Sequence, residues 1–206
     1  MDVQGFLLSN KFRIPHYQRD FAWTENQMQD LFDDIQEAMD TGSTHYIGTF
    51  VLAGEDREYE IVDGQQRLSV LTMIVHALLS ELDPHDPDRI VDEAVLLYQS
   101  QGNRDLKLDF GVNAAFMKAL LEGQDPKPES AGQRRLKRCY LFARERAKSL
   151  AEQGGKKHIK QWLNAIKKLE LIYSEKRTQS AKINLFTPSS PIQGCTQALP
   201  SLGHAD

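Results

Sequence analysis

Cysteines, long apolar runs and leader-like N-terminal residues are scarce or missing in this 206-residue sequence. The two cysteines, Cys139 and Cys195, are too few for a disulfide framework or a cysteine-based zinc ribbon, and such usage is typical of a reducing compartment. No apolar run approaches the ~18–20 residues that span a bilayer. The first residues lack the basic and apolar regions of a signal peptide. We therefore expect a cytoplasmic protein without a membrane segment.

Sequence motifs for metal binding and for nucleophilic catalysis are missing as well. The six histidines share no ligand spacing, so no metal site is predicted from them. The sequence contains no HExxH, no CxxC, no serine nucleophile elbow and no His-Asn-His nuclease grouping. Of the six histidines, His45 directly precedes a predicted strand and could therefore reach a cleft at the start of that strand.

Basic residues are rare in the first half of the chain and abundant in the second. Residues 1–100 contain 6 Lys/Arg against 19 Asp/Glu, a net charge of −13, whereas residues 101–206 have a net charge of +9. Residues 134–177 alone contain 14 basic and 4 acidic residues. This asymmetry predicts either two halves that attract each other or a face that binds a polyanion. Ordinary solvated helix faces are the alternative.

The apolar pattern, in a sequence that is 40% hydrophobic and 26% charged, predicts an α+β fold. We expect an edge strand at 11–15, a helix that begins with a Thr24–Gln27 capping box, a β-hairpin over 46–62 and an amphipathic helix over 68–82. A mainly helical half follows, with basic helices at 134–153 and 157–169 and a strand at 169–173. A helix capped by Asn113 and a strand near 106–110 are also expected.

Charge is missing from residues 187–205, which contain three of the eight prolines. A chain with 26% charged residues rarely lacks charge over such a length inside a domain. This composition predicts a disordered or foreign tail. The expected organisation is therefore a core at 1–82, a helical extension at 83–186 and a tail at 187–206.

The most informative run is Asp63-Gly64-Gln65-Gln66-Arg67, here called the DGQQR run (residues 63–67). It lies between a predicted strand and a predicted helix, where backbone amides and the helix dipole favour phosphate. Gly64 allows close approach of a ligand, and Arg67 can grip phosphate oxygens. Asp63 could bind a sugar hydroxyl or a metal ion, and the glutamines could orient water or read a base edge. The alternative is a helix capped by Asp63 with a polar first turn.

A second cluster, here called the aromatic loop (residues 15–23), follows the first predicted strand. Its arginine, glutamine and aromatic residues could place a cation and a stacking platform in a cleft. Alternatively, Tyr17, Phe21 and Trp23 fill the core and Arg19 forms a surface ion pair. Because each cluster flanks a strand, we expect Tyr17, Gln18 and Arg19 to converge on the DGQQR run.

The two clusters together resemble the N-terminal domain of GmrSD-type restriction endonucleases. The resemblance is specific over residues 6–82 and weaker through residue 186. Position 21 is Phe where the family often has Tyr, and Ser69 stands where Thr is frequent. The residues that carry the resemblance are Phe12-x-Ile14-Pro15-x-Tyr17-Gln18-Arg19-x-Phe21-x-Trp23, then Gln27, Leu31 and Asp34-Ile35, then Tyr46-x-Gly48-x-x-Val51-Leu52, then Ile61-Val62-Asp63-Gly64-Gln65-Gln66-Arg67-Leu68.

The resemblance implies a ParB/sulfiredoxin-like fold, in which helices flank a small mixed sheet. It also implies binding, and potentially hydrolysis, of a nucleoside triphosphate of unknown identity with Mg²⁺. The implied catalytic residues are Asp63, Gln65, Gln66 and Arg67. The implied nucleotide-binding residues are Tyr17, Gln18, Arg19, Gly64 and Arg67.

The resemblance further implies restriction of modified foreign DNA, which residues 134–177 would contact. In such proteins a separate C-terminal His-Asn-His domain cuts the DNA. No such motif occurs in these 206 residues, so no nuclease activity is expected from this chain alone and the nuclease would lie on a missing domain or subunit. The chain departs from the family after Phe186, which a truncation would explain. The alternatives are a non-enzymatic ParB-like DNA-binding or regulatory module and an inactive truncated product.

Overall fold

A computed structural model describes residues 1–8, 10–100 and 103–176. The expected tail at 187–206 and the chain around Phe186 lie outside the described residues. Within the described part, short π- and 3₁₀-helical turns cover Glu93–Leu97 and Gly111–Asn113. The α-helices are α1 (Val3–Leu8), α2 (Glu25–Thr41), α3 (Gln65–Ser80), α4 (Pro87–Asp92), α5 (Ala114–Leu121) and α6 (Ala131–Lys168). The strands are β1 (Lys11–Arg13), β2 (Tyr46–Glu55), β3 (Glu58–Asp63), β4 (Tyr98–Ser100), β5 (Asn103–Leu106), β6 (Leu108–Asp109) and β7 (Glu170–Lys176).

Five of these strands form a mixed sheet in the order β6-β1-β3-β2-β7. β1 is parallel to both β3 and β6, β2 is antiparallel to β3, and β7 is parallel to β2. β4 and β5 form a separate antiparallel pair. Both outer strands of the main sheet come from residues beyond 82, so the helical half of the chain also completes the sheet.

One hydrophobic core joins the sheet to the helices. α3 is buried on nearly all sides, from Gln65 to Leu79, because α6 packs against it and the sheet lies below it. The helix therefore reads as almost continuously apolar rather than as a narrow stripe. Trp162 of α6 and Phe32 of α2 are fully buried, and their ring centroids lie 5.5 Å apart.

Most of the predicted local elements are confirmed. Gln27 Oε1 accepts a hydrogen bond from the Thr24 backbone N–H at 2.8 Å, as a capping box requires, and Gly42 ends α2 with φ +67°. The hairpin forms, with its turn at Asp56 and Arg57, both of which have positive φ. The two predicted basic helices form a single run, Ala131–Lys168, that is interrupted at Gly155 by non-helical torsion angles.

The prediction of an edge strand at 11–15 is wrong. β1 contains only Lys11–Arg13 and is an interior strand, because β6 pairs with it on the side opposite β3. Ile14 follows the strand, and Pro15 begins the aromatic loop. In the described part of the chain, no helix is both long and apolar enough to cross a membrane.

Candidate functional site

The aromatic loop and the DGQQR run lie next to each other at the carboxyl ends of two neighbouring strands. β1 and β3 are adjacent and parallel, with Phe12 paired to Tyr59 and Arg13 to Glu60. The aromatic loop leaves the carboxyl end of β1, and the DGQQR run leaves the carboxyl end of β3. Ligands of α/β proteins commonly bind at the carboxyl ends of parallel strands, where the following loops meet.

Three glutamine side chains join the aromatic loop to the DGQQR run. Gln18 Nε2 donates to the Val62 carbonyl at 3.0 Å, and Gln65 Nε2 donates to the Arg19 carbonyl at 3.3 Å. Gln66 Oε1 accepts from the Ala22 backbone N–H at 2.8 Å. Gln65 and Gln66 are buried, so these bonds hold the loop against the start of α3 with little competition from water.

The result is a cleft of about 210 Å³, here called the DGQQR cleft. Gln18, Arg19 and the whole DGQQR run line it, as the sequence predicts. Tyr17 does not line it and is 72% exposed, so Tyr17 does not converge with the other residues. Trp23 forms part of the wall and Phe21 is buried in the core, so the two alternatives for the aromatic residues are each met in part.

Gly64 directly precedes α3 and lines the cleft, so the N-terminus of that helix lies at the cleft. The Gly64 φ of +98° is strained for other residues, and a Cβ there would overlap the Phe50 ring. Gly64, not Asp63, is the N-cap, and no side chain caps the helix, so the alternative of an Asp63 cap is wrong. The first intrahelical bond runs from Leu68 N–H to Gly64 O, so the preceding three N–H groups lie outside the helical ladder.

Arg67 is engaged with the backbone of β2. Its Nη1 donates to the Ile47 carbonyl at 2.9 Å and its Nη2 to the Thr49 carbonyl at 2.8 Å. The guanidinium lies 5.0 Å from the centre of the Phe50 ring. Gly48, with φ +105°, leaves the space that this guanidinium occupies, since a Cβ there would overlap Nη1. Arg67 therefore links α3 to β2 through hydrogen bonds, and its side chain also lines the cleft.

Arg19 differs from Arg67 in that its guanidinium is exposed. In the described part of the chain it forms no hydrogen bond or ion pair, whereas its carbonyl is held by Gln65. Asp63 is also exposed, with its carboxylate 3.8 Å from Arg67. Gln65 Oε1 is buried and lacks a hydrogen-bond partner among the described residues, which is a costly state for an acceptor. Among the described residues, the cleft is thus lined by an unpaired guanidinium (Arg19), by an exposed carboxylate (Asp63) and by a glutamine whose buried oxygen has no donor (Gln65).

The aromatic loop also contacts the N-terminus of α6. Asp20 accepts from the Gly132 N–H at 2.7 Å, and Arg135 Nε donates to the Phe21 carbonyl at 2.7 Å. Cys139 Sγ lies 3.6 Å from the Trp23 carbonyl, and burial raises the pKa of this thiol to about 12, so it is not a nucleophile. Sequence reasoning missed Asp20, because its partners lie more than a hundred residues away.

A second cavity, of about 320 Å³, adjoins the DGQQR cleft and shares Trp23 and Arg67 with it. His45 lines this second cavity rather than the cleft, and its Nε2 lies 3.4 Å from Asp34 Oδ2. Among the described residues no group of three or more His, Cys, Asp or Glu side chains is arranged to hold a metal ion.

Part of the charge asymmetry is explained by ion pairs within the fold. Basic residues of α6 pair with acidic residues elsewhere, for example Arg138 with Glu25 at 3.0 Å and Lys167 with Asp92 at 2.8 Å. Lys160 pairs with Asp86 at 3.0 Å and with Asp88 at 2.7 Å. Other basic residues of the same helical run are exposed and form no ion pair within the described residues. They are Arg134, Lys156, Lys157 and Lys168.

These features define an α+β domain whose candidate ligand site is the cleft between the aromatic loop and the DGQQR run. The family model described as the N-terminal domain of GmrSD restriction endonuclease matches residues 3–189. The chain belongs to this family, and the resemblance of the two clusters is confirmed. No curated protein is similar enough to match the chain.

Proposed function

We propose that this chain is a nucleotide-binding N-terminal module of a modification-dependent DNA restriction system, and that a nucleoside triphosphate binds in the DGQQR cleft. The observation that carries the proposal is that Arg19 and the N-terminus of α3, which no side chain caps, line the same cleft. Phosphate is the ligand that suits both, because a helix N-terminus with free N–H groups and an unpaired guanidinium each favour an anion. The sheet around the cleft would be of the ParB/sulfiredoxin type that the resemblance implies.

Mg²⁺ fits this cleft as a companion of the phosphates. Asp63 is the one carboxylate among the described residues that line the cleft, and it is 71% exposed. Proteins commonly bind Mg²⁺ through one or two carboxylates, with phosphates and waters as the other ligands. Asp63 would hold the ion, which would neutralise phosphate charge.

The proposal extends to hydrolysis of the nucleotide. Gln66 Oε1 accepts a hydrogen bond from the aromatic loop, whereas the buried Gln65 Oε1 accepts none from the described residues. Gln65 lines the cleft, and rotation of its amide toward bound phosphate would let it orient an attacking water. Gln65 is therefore the proposed water-positioning residue, and Gln66 would act by holding the loop.

Calorimetric titration of the purified chain with ATP, GTP, CTP and UTP, with and without Mg²⁺, tests nucleotide binding. We expect saturable binding that Arg19→Gln weakens at least ~10-fold, since a charge-assisted hydrogen bond contributes about 1.5–3 kcal/mol. Arg57→Gln is the matched control, because Arg57 is equally exposed but lies at the opposite end of β3, about 20 Å away. Absence of saturation with all four nucleotides, or equal affinities of the two variants, would contradict the proposal.

DNA is the proposed macromolecular partner, with the exposed basic residues of α6 as the contact surface. The observation that favours it is that Arg134, Lys156, Lys157 and Lys168 form no ion pair within the described residues, although their neighbours do. The nuclease that cuts the DNA would lie on another domain or subunit. The family membership supports this division of labour, because the matched family is the N-terminal domain of a restriction endonuclease.

A further inference from the structure

The second cavity is walled by α2, by the start of β2 and by α3. Its floor is apolar, formed by the buried side chains of Leu31, Ile47 and Leu71. Trp23 is half-buried and lines both this cavity and the DGQQR cleft. An apolar floor beside a half-buried indole is suited to a flat aromatic ligand, because base–aromatic stacking contributes about 1–3 kcal/mol per base.

Polar residues at the rim of this cavity include two carboxylates beside Gln27, His45, Tyr46 and Arg67. Asp30 and Asp34 both lie on α2 and line the cavity, four residues apart and so on one helix face. The Asp34 carboxylate is paired with His45. The Asp30 carboxylate is exposed and forms no hydrogen bond or ion pair within the described residues, so it is the acceptor that remains available.

A free carboxylate discriminates among nucleobases. It accepts two parallel N–H bonds, which guanine offers through its ring N1–H and its 2-amino group. Adenine and cytosine present a single amino group beside an acceptor nitrogen, and uracil presents a single N–H between two carbonyls. Each of these would place a lone pair against the carboxylate, which costs free energy in a site partly shielded from water.

We infer that the second cavity is a nucleobase pocket that selects guanine, with Trp23 stacking on the ring and Asp30 accepting from its N–H edge. The inference rests on the proposed function, since the phosphates of the same nucleotide would lie in the DGQQR cleft. The shared wall of Trp23 and Arg67 makes one ligand across both cavities feasible. Specificity would thus come from α2, outside the DGQQR run.

The test replaces the Asp30 carboxylate, which only accepts hydrogen bonds, with an amide that both donates and accepts. An Asn side chain matches xanthine, because its NH₂ donates to the 2-carbonyl of xanthine while its oxygen accepts from N1–H. We expect the unmodified chain to bind GTP at least 10-fold tighter than ATP, CTP, UTP or XTP. Asp30→Asn should lose at least 10-fold in GTP affinity and bind XTP at least as tightly as GTP.

Asp33→Asn is the control, since it removes the same charge from α2 at an exposed position that does not line the cavity. It should keep the preference for GTP. Equal affinity of the unmodified chain for all the triphosphates, or identical behaviour of the Asp30 and Asp33 variants, would overturn the nucleobase pocket while leaving phosphate binding intact. Failure of every triphosphate to bind would instead overturn the proposed function.

Discussion

Arg67 and Arg19 differ in what their guanidinium groups contact, although both line the same cleft. Arg67 donates to two β2 carbonyls and lies over Phe50, whereas the Arg19 guanidinium is exposed. The sequence predicts the same phosphate-binding role for both. The structure separates them, because hydrogen bonds within the fold hold Arg67 and leave Arg19 available to a ligand.

This difference predicts that the two substitutions change stability by different amounts. Arg67→Gln should lower the free energy of unfolding by about 2–3 kcal/mol, because two carbonyls lose charged donors. Arg19→Gln should change it by less than about 0.5 kcal/mol, as is usual for an exposed side chain without partners. Urea unfolding of both variants measures this. Equal losses of stability in the two variants would contradict the claim that the Arg67 hydrogen bonds to β2 stabilise the fold.

At the scale of elements, the aromatic loop connects three parts of the fold. It follows β1, contacts the start of α3 through the glutamines, and contacts the N-terminus of α6 through Asp20. Gly132 permits the last contact, since a Cβ there would overlap the Asp20 carboxylate. These contacts fix the position of the loop and so shape the cleft, and the partners that make them lie 44 to 112 residues away in the sequence.

Asp20 is accordingly predicted to stabilise the N-terminus of α6. Asp20→Ala should lower the unfolding free energy by about 1–2 kcal/mol, which is typical for loss of a helix-capping acceptor. Asp20→Asn should lose less, because its side-chain oxygen still accepts from Gly132 N–H. Denaturant unfolding compares the two variants with Asp33→Ala as the exposed control. A loss no larger than that of the control would contradict a capping role.

The contact between α4 and α6 predicts a pH dependence. The hydrogen bond from Lys160 holds the pKa of the Asp86 carboxyl below its ordinary value. Hydrogen bonds to Asp88 and to Asp86 raise the pKa of Lys160. The Asp86 contribution is therefore present above the ordinary Asp pKa, about 3.9, and is lost as pH falls through the lowered pKa. The Lys160 contribution is present below its ordinary pKa, about 10.4, and is lost as pH rises through the raised value.

Thermal unfolding of Lys160→Met across pH measures this effect. The variant should melt below the unmodified protein by a constant amount between about pH 5 and pH 10, and the gap should close below about pH 4. Lys156→Met is the matched control, because Lys156 is exposed and forms no ion pair within the described residues. A gap that persists unchanged at pH 3 would contradict the assignment to Asp86.

Sequence patterns predict the elements whose determinants are local. The capping box at Thr24, the hairpin and the break near Gly155 each depend on neighbouring residues, so they could be predicted. The interior position of β1 could not, because its second neighbour, β6, lies about a hundred residues away. Most of the residues that line the cleft could likewise be predicted, because they form two local motifs. The hydrogen-bond partners of its glutamines and of Arg67 could not, because they lie 18 to 46 residues away in the sequence.

At the scale of the whole molecule, the basic residues of the second half divide into those that form ion pairs and those that form none within the described residues. Part of the basic second half neutralises acidic residues of the first half through pairs such as Arg138 with Glu25 and Lys167 with Asp92. The exposed remainder on α6 supports the proposed contact with DNA. The attraction between the two halves is thus observed for some residues of the stretch, whereas the polyanion-binding face stays a prediction for the others.

The DNA contact predicts a measurable dependence on salt. If the four unpaired residues Arg134, Lys156, Lys157 and Lys168 each neutralise a phosphate, log K should fall with log salt with a slope of about −3.6. Replacing Lys156 and Lys157 with Gln should reduce the slope to about −1.8. Fluorescence anisotropy with a labelled duplex measures both slopes. Binding that is insensitive to salt, or absent at low salt, would return these residues to the class of solvated helix faces.

Nuclear magnetic resonance titration of the backbone amides with GTP and Mg²⁺ reports directly where a nucleotide binds. We predict that the largest chemical-shift changes fall on Gly64, Gln65, Gln66 and Arg67 at the N-terminus of α3, together with Arg19. Amides of the β2–β3 turn at Asp56 and Arg57, at the opposite end of the sheet, should not move. Largest shifts at that turn, or no shifts at saturating nucleotide, would contradict a nucleotide site in the DGQQR cleft.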